Sequence, residues 1–259
     1  MTRSHVLKWR EHLEKQNLAG STIQRKLAAL GSLFNYLCDR NAVVTNPVNG
    51  VKRPPVETYE GVTPTFAVDD IKKLLNAPDP TTLKGKRDRA ILSLLAYHAP
   101  RRAEVCSLLV KDVRQKRQGV PNILIHGKGG KIRYLPAHKG TLQLIDKYLA
   151  AAGHAGDSNG PLFRSVAVKS LKEVDKALTP GSIYTHIVKL YMEKEGISAE
   201  GGNYGPHALR ASAATYALQQ KKDLSEVQEW LGHKHISTTR IYDRRKNKGD
   251  SKATVLVKY

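Results

Sequence analysis

Three prolines, Pro47, Pro54 and Pro55, interrupt the chain before residue 60. None can sit inside a helix without removing a hydrogen bond and clashing with the preceding turn. The residue before a proline is pushed towards extended backbone, so Asn46-Pro47 stops whatever helix precedes it. Val51 to Thr63, carrying Pro54-Pro55 and Gly61, then reads as an extended linker. Any fold must be built in two unequal pieces. We expect a helical N-terminal domain over 1–53, a linker over 54–63 and the main domain over 64–259, a comfortable division for 259 residues.

In the first piece, Ser4 to Gln16 and Ser21 to Cys38 read as helices. Ile23, Leu27, Leu30, Phe34 and Leu37 recur at helical spacing in the second, and Ser21 is its expected N-cap after Gly20. The opposite face carries Gln24, Arg25 and Asn35 with Lys26 on its flank, a polar stripe available to a polyanion or simply to water. Two helices make a thin core, as expected if this domain lacks its first helix.

The second piece is mainly helical. Val68-Asp69-Asp70 leads into an amphipathic helix through Leu75, with carboxylates in its first turn. Lys86 to His98 carries an apolar series that Pro100 breaks, and Ala103 to Leu109 resumes as a helix. Asn122 to His126 and Ile132 to Leu135 flank Gly127-Lys128-Gly129-Gly130-Lys131, a β-hairpin with a basic, glycine-rich tip. Helices follow at about 139–151, 181–194, 207–220 and 223–231, and Ala253 to Val257 reads as a final strand. The fold class expected is mainly α with a small antiparallel β element.

Charge narrows the partner. The 43 Lys and Arg against 23 acidic residues give a net charge of +20, spread from Lys8 to Lys258 rather than gathered in a tail. That distribution suits a long nucleic-acid footprint, although a generic basic ribosomal or chromatin protein would share it. Only Cys38 and Cys106 occur, each inside an apolar helical pattern, so neither a disulfide framework nor a cysteine metal cluster is expected. A reducing cytoplasm is the default location. No apolar run approaches the length that spans a bilayer, and none resembles a signal peptide, so no membrane partner is expected.

Attack on a phosphodiester needs a nucleophile, positive donors for the non-bridging oxygens and a proton source for the leaving oxygen. The C-terminal third offers, in order, His207-Ala-Leu-Arg210, Leu231-Gly-His233, Thr238-Thr239 and Tyr242. Three residues apart on a helix, His207 and Arg210 share a face. Gly232 can end a helix and turn His233 outwards. Each feature alone is weak, since a His-x-x-Arg pair is usually structural and an isolated tyrosine usually packs.

Together, however, the order and spacing resemble the tyrosine recombinase (phage integrase) family. His207, Leu209, Arg210, Ser212, Ala214 and Thr215 match one block, and Leu231-Gly232-His233 followed by Tyr242 match the next. Earlier, Arg101, Glu104, Leu108 and Asp112 fall at the offsets the family shows, the acidic residue opening a strand. Where the family has Gly-Leu before its arginine, this chain has Ala99-Pro100. The resemblance selects Arg101 over Arg102 as the catalytic arginine and Lys128, in its Gly-Lys-Gly setting, over Lys131.

The resemblance implies that Tyr242 attacks the scissile phosphate to form a 3′-phosphotyrosine. Arg101 and Arg210 would hold the non-bridging oxygens, and Lys128 would protonate the leaving oxygen from a site that lowers its pKa. His207 would assist proton movement at a phenol that, free, titrates near about 10. His233 would bond the phosphate, and Glu104 would orient the basic groups. Arg25, Lys26, Arg102 and Lys131 are the candidate DNA contacts. No metal, ATP or other cofactor is expected. The implied partners are double-stranded DNA, a homotetramer on two recombining sites and accessory DNA-bending proteins, with the segment after Tyr242 docking on a neighbour. A type IB topoisomerase, or a non-catalytic DNA-binding module of the same fold, are the alternatives.

Overall fold

The computed structural model describes residues 1–55, 64–127, 129–166, 173–197 and 204–244. The chain packs as two units, Met1–Glu60 and Gly61–Tyr259. In the first, α1 (Arg3–Lys15) and α2 (Gly20–Asp39) bury Val6, Leu13, Ile23, Leu27 and Phe34 together with Val48 and Val51. The carbonyl of Ala19 already accepts from Thr22 and Ile23, so α2 starts before Ser21, which lies inside the first turn rather than at the cap. Asn46 does more than stop a helix. Its buried amide donates to the Gly31 carbonyl at 2.9 Å and to Asn35 Oδ1 at 2.7 Å, and its Oδ1 accepts from Val48 N at 2.9 Å. Of the polar stripe on α2, Gln24 is likewise turned inwards to the Pro54 carbonyl at 2.8 Å, whereas Arg25 and Lys26 stay exposed.

The second unit is built around α4 (Leu83–His98), which follows α3 (Val68–Asn76). Thr82 caps α4 through its side chain. Ala90, Ile91, Leu92, Leu94 and Leu95 are all buried at the core, so most of the helix is covered, while Tyr97 near its end stays exposed. The one buried charge pair on it, Asp88 with Arg87, is closed at 2.7 Å. After α5 (Arg102–Cys106) the expected helix does not continue. Asp112 Oδ2 accepts from Leu109 N at 2.9 Å and tightens Val110–Arg114 into a 3₁₀ turn, so Asp112 sits in that turn instead of opening a strand.

Strands β1 (Gln115–Arg117), β2 (Val120–His126) and β3 (Ile132–Pro136) form an antiparallel sheet, one strand more than the expected hairpin. Cross-strand partners share a face. Ile123 faces Leu135 and Ile125 faces Arg133 across β2 and β3, so the face that buries both isoleucines also carries Arg133. Next come α6 (Lys139–Ala152) and a short antiparallel pair that the sequence reading missed, β4 (Arg164–Val166) with β5 (Glu173–Ala177). The expected helix at 181–194 is three pieces, α7 (Pro180–Ile183), a π-helical stretch Tyr184–Lys189 and α8 (Leu190–Lys194). The unit closes with α9 (Pro206–Gln219), α10 (Leu224–Leu231) and α11 (Ile236–Arg240). The strand expected at 253–257 lies outside the described residues. Among the described residues no helix is long and apolar enough to cross a membrane.

His98, at the end of α4, is buried and its Nε2 accepts from the backbone N–H of His138 at 3.0 Å. Burial first, and the charge of His138 second, press its pKa to about 4. A histidine held neutral by the fold stabilises fully above its unfolded pKa near 6.5, and that stability is lost as pH falls from there towards 4, because the unfolded chain takes up the proton more readily. We expect lowering the pH from 7 to 4.5 to remove about 2 kcal/mol through this residue. Urea titrations across that range should show the loss in the wild type and a smaller one in His98→Gln.

Candidate active site

The site is assembled where α4, α9 and α10 end or begin. α9 starts with Pro206 at its first position, where a missing N–H is harmless. One turn in, Arg210 is almost completely buried, and its guanidinium ties three segments together. Nη1 donates to the Ala99 carbonyl, and Nη2 donates to the Leu231 carbonyl at 2.6 Å and to His233 Nε2 at 3.0 Å. Burial chiefly, then the nearby Arg101, draws Arg210 down to about 10, which leaves it charged at neutral pH.

The two carbonyls that Arg210 holds lie at helix ends whose caps, Ala99 and Gly232, are in left-handed backbone. Gly232 caps α10 at φ 66°, and a Cβ there would meet the Arg133 side chain at 3.1 Å. Glycine answers both demands. Ala99 caps α4 at φ 50°, a conformation that costs an L-residue roughly 1–2 kcal/mol. Its bond from Arg210 helps to hold it there.

Arginine only donates, so His233 Nε2 must accept, and the ring proton lies on Nδ1, which donates to Thr239 Oγ1 at 2.9 Å. Burial and then the positive charges of Arg210, Arg101 and Arg133 bring His233 to about 4, so the ring is neutral at pH 7. His207 stands at the exposed start of α9. Partial burial, followed by Arg210, Arg102 and Arg101, lowers its pKa as well. Tyr242 lies just beyond α11. Its ring is 6.1 Å from that of His233 with 27° between the planes, and it packs against the apolar cluster of Ala99, Ala214, Leu218, Val227 and Leu231. Its carbonyl accepts from Thr215 Oγ1 at 3.3 Å and its N–H donates to the Thr239 carbonyl at 3.0 Å.

Arg101 opens α5. Its backbone N–H donates to Glu104 Oε2 at 2.7 Å, its Nη1 to Glu104 Oε1 at 2.8 Å and its Nη2 reaches the Gly232 carbonyl at 3.4 Å. Glu104 also receives Arg133, Nη1 on Oε1 at 3.0 Å and Nη2 on Oε2 at 2.7 Å. Burial would raise this carboxyl, but the bonds from Arg133 and Arg101 outweigh it and hold Glu104 at about 2.

Arg101, Glu104, Arg210, His233 and Tyr242 therefore meet in one place, with His207 and Arg102 near enough to share its field. Lys128 lies outside the described residues. Lys131 is exposed beyond the point where Gly127 N–H donates to the Lys131 carbonyl at 2.6 Å and closes the hairpin. Sequence reasoning missed Arg133, and it named Thr215 and Thr239 only as members of the pattern, without the roles that their bonds to the Tyr242 carbonyl and the His233 ring give them. Arg133 had a signal, since it shares the two-residue parity of Leu135 and so falls on the inward face of β3, where a charge needs a partner.

Residues 64–248 match the Phage integrase family. A curated relative, tyrosine recombinase XerC of Herpetosiphon aurantiacus, is 34% identical over 251 residues, covering 95% of this chain and 76% of the relative. Among solved structures, XerH site-specific recombinase bound to palindromic difH substrate in a post-cleavage complex superposes with a TM-score of 0.73 at 22% identity, covering 98% of this chain and 73% of that one. A lambda integrase tetramer bound to a Holliday junction gives a TM-score of 0.63 at 18% identity, covering 91% of this chain and 65% of that one.

Proposed function

This chain belongs to the phage integrase family and is a tyrosine-type site-specific DNA recombinase, and on that premise we propose that Tyr242 is its nucleophile. The Tyr242 oxygen attacks the scissile phosphorus, the phosphotyrosine bond forms on the 3′ side, and the bond to the 5′ oxygen breaks. Lys128 delivers a proton to that departing oxygen. The released 5′-hydroxyl of a partner strand then attacks the phosphotyrosine and returns the tyrosine. Because the covalent intermediate keeps the energy of the phosphodiester, the cycle as written needs no ATP.

One observation supports this reading: Arg210 bonds His233 at 3.0 Å and the His233 ring is 6.1 Å from that of Tyr242, so the proposed nucleophile lies beside the proposed phosphate-binding groups. Arg101 and Arg210 present planar forks for the two non-bridging oxygens and stabilise the charge that builds there. His233 is neutral, so to bond the phosphate it carries its single proton on Nε2, and Nδ1 then accepts from the Thr239 hydroxyl. His207, neutral at pH 7 and at the rim, is suited to accept the phenol proton.

The partner is double-stranded DNA, and its proposed contacts are exposed Arg25 and Lys26 in the first unit and, in the second, part-buried Arg102 and exposed Lys131. Four copies acting on two sites, with accessory DNA-bending proteins, in the cytoplasm, complete the reading. The named relative and neighbours are recombinases, which favours strand exchange over supercoil relaxation. Selection of bound sequences followed by a strand-exchange assay on two duplexes carrying the winning site tests this. Exchanged products are expected. Relaxation of a plasmid lacking the site, without exchange, would instead indicate a topoisomerase.

A further inference from the structure

Arg133 is an expensive residue to have where it is. It lies on the face of the β2–β3 sheet that buries Ile123, Ile125 and Leu135, and its side chain is only 14% exposed. A charge so placed requires a partner, and Arg133 commits both terminal nitrogens to Glu104 at 3.0 and 2.7 Å. Its Nε is buried with no hydrogen-bond partner among the described residues. Both ends of the guanidinium fork are thus taken up by the carboxylate. Its stem meanwhile lies beneath Gly232, where any Cβ would strike it.

Glu104 is the group that connects Arg133 to the chemistry. Each of its oxygens is shared, Oε1 between Arg101 Nη1 and Arg133 Nη1, and Oε2 between the Arg101 backbone and Arg133 Nη2. Left alone with Arg101, this buried carboxylate would neutralise the very charge that phosphate binding requires. With Arg133 present, two guanidiniums share one carboxylate, and Arg101, Arg133 and Arg210 together keep two net positive charges for a phosphate whose charge grows in the transition state.

We propose that Arg133 is a positioning residue that holds Glu104 by both oxygens, so that Glu104 aligns Arg101 without cancelling its charge at the reacting phosphate. This rests on the tyrosine recombinase reading above. The test uses the full chain on a nicked suicide duplex carrying its selected site, under single-turnover conditions. Arg133→Gln is expected to slow covalent adduct formation about 100-fold, the scale of one lost electrostatic contact, while half-saturation with DNA moves less than about threefold. Arg133→Gln/Glu104→Gln should be faster than Arg133→Gln alone, because the unopposed carboxylate is gone. A residue that merely supports the fold would show no such recovery.

A rate for Arg133→Gln within about twofold of wild type, or a double variant no faster than the single one, overturns the proposal. Should Arg133→Gln lack a cooperative melting transition, Arg133→Lys and Arg133→Lys/Glu104→Gln carry the same test. Lysine brings a point charge without the fork, so a loss of about tenfold with partial recovery in the double variant is expected. Absence of either overturns the idea. Failure of the underlying reading looks different, since wild type itself would then form no adduct.

Discussion

Arg210→Lys is expected to lower the rate of covalent adduct formation by on the order of 10³-fold or more, although the positive charge is kept. Arg210 supports three partners at once, the carbonyls of Ala99 and Leu231 and the Nε2 of His233. A lysine ammonium is a point charge without a planar fork and cannot span the same three positions while facing a phosphate. Arg210→Ala should add a structural penalty, because two buried carbonyls would lose their donor at about 1–3 kcal/mol each. Single-turnover cleavage beside a thermal melt separates the effects. The lysine variant, which can still donate to one of the carbonyls, is expected to melt above the alanine variant and cleave poorly, the alanine variant to fail in both. A lysine variant that cleaves at near the wild-type rate would remove Arg210 from the chemistry.

Tyr242→Phe should abolish the covalent adduct while leaving DNA binding intact. Only the hydroxyl is removed. The ring contacts with His233 and the Ala99–Leu231 cluster, and the backbone bonds to Thr215 and Thr239, do not involve it. Folding and the positive surface should therefore be unchanged, and binding measured by fluorescence anisotropy should agree with wild type within about twofold. Adduct formation by the phenylalanine variant would mean that another side chain attacks.

The helical frame is legible in the sequence because its periodic segments are long and their ends are marked. Gly232, a left-handed cap followed by His233, and Pro206, a first-turn proline, can be read directly from residue type. The order of His207, Arg210, His233 and Tyr242 is legible as a pattern too. What stays hidden depends on contacts distant in sequence. Glu104 can be named, but its second partner, Arg133, comes from a strand 29 residues on. Thr239 can be named within the pattern, but its role emerges only where His233 needs an acceptor for its Nδ1 proton. The Ala99-Pro100 departure likewise acquires meaning only in three dimensions, where Arg210 holds the Ala99 carbonyl and keeps an alanine in glycine's conformation.

Local chemistry misleads in the other direction as well. The family resemblance implies that Asp112 opens a strand, yet its carboxylate caps its own 3₁₀ turn through Leu109 N and meets His126 Nε2 at 3.2 Å. Asn35 and Gln24 look like part of a nucleic-acid face, yet both are drawn into bonds within their own unit. Asp112 satisfies a nearby backbone group, whereas Gln24 and Asn35 meet partners distant in sequence, and periodicity reveals neither.

The most direct measurement is to trap the reaction on a nicked duplex whose short 5′ fragment diffuses away, digest the covalent complex with protease, and sequence the DNA-bearing peptide by mass spectrometry. The result expected is a single peptide carrying nucleotide on Tyr242, joined through the 3′ phosphate and leaving a free 5′-hydroxyl. Nucleotide on any other residue, or a 5′-phosphate linkage, would contradict the assignment of Tyr242.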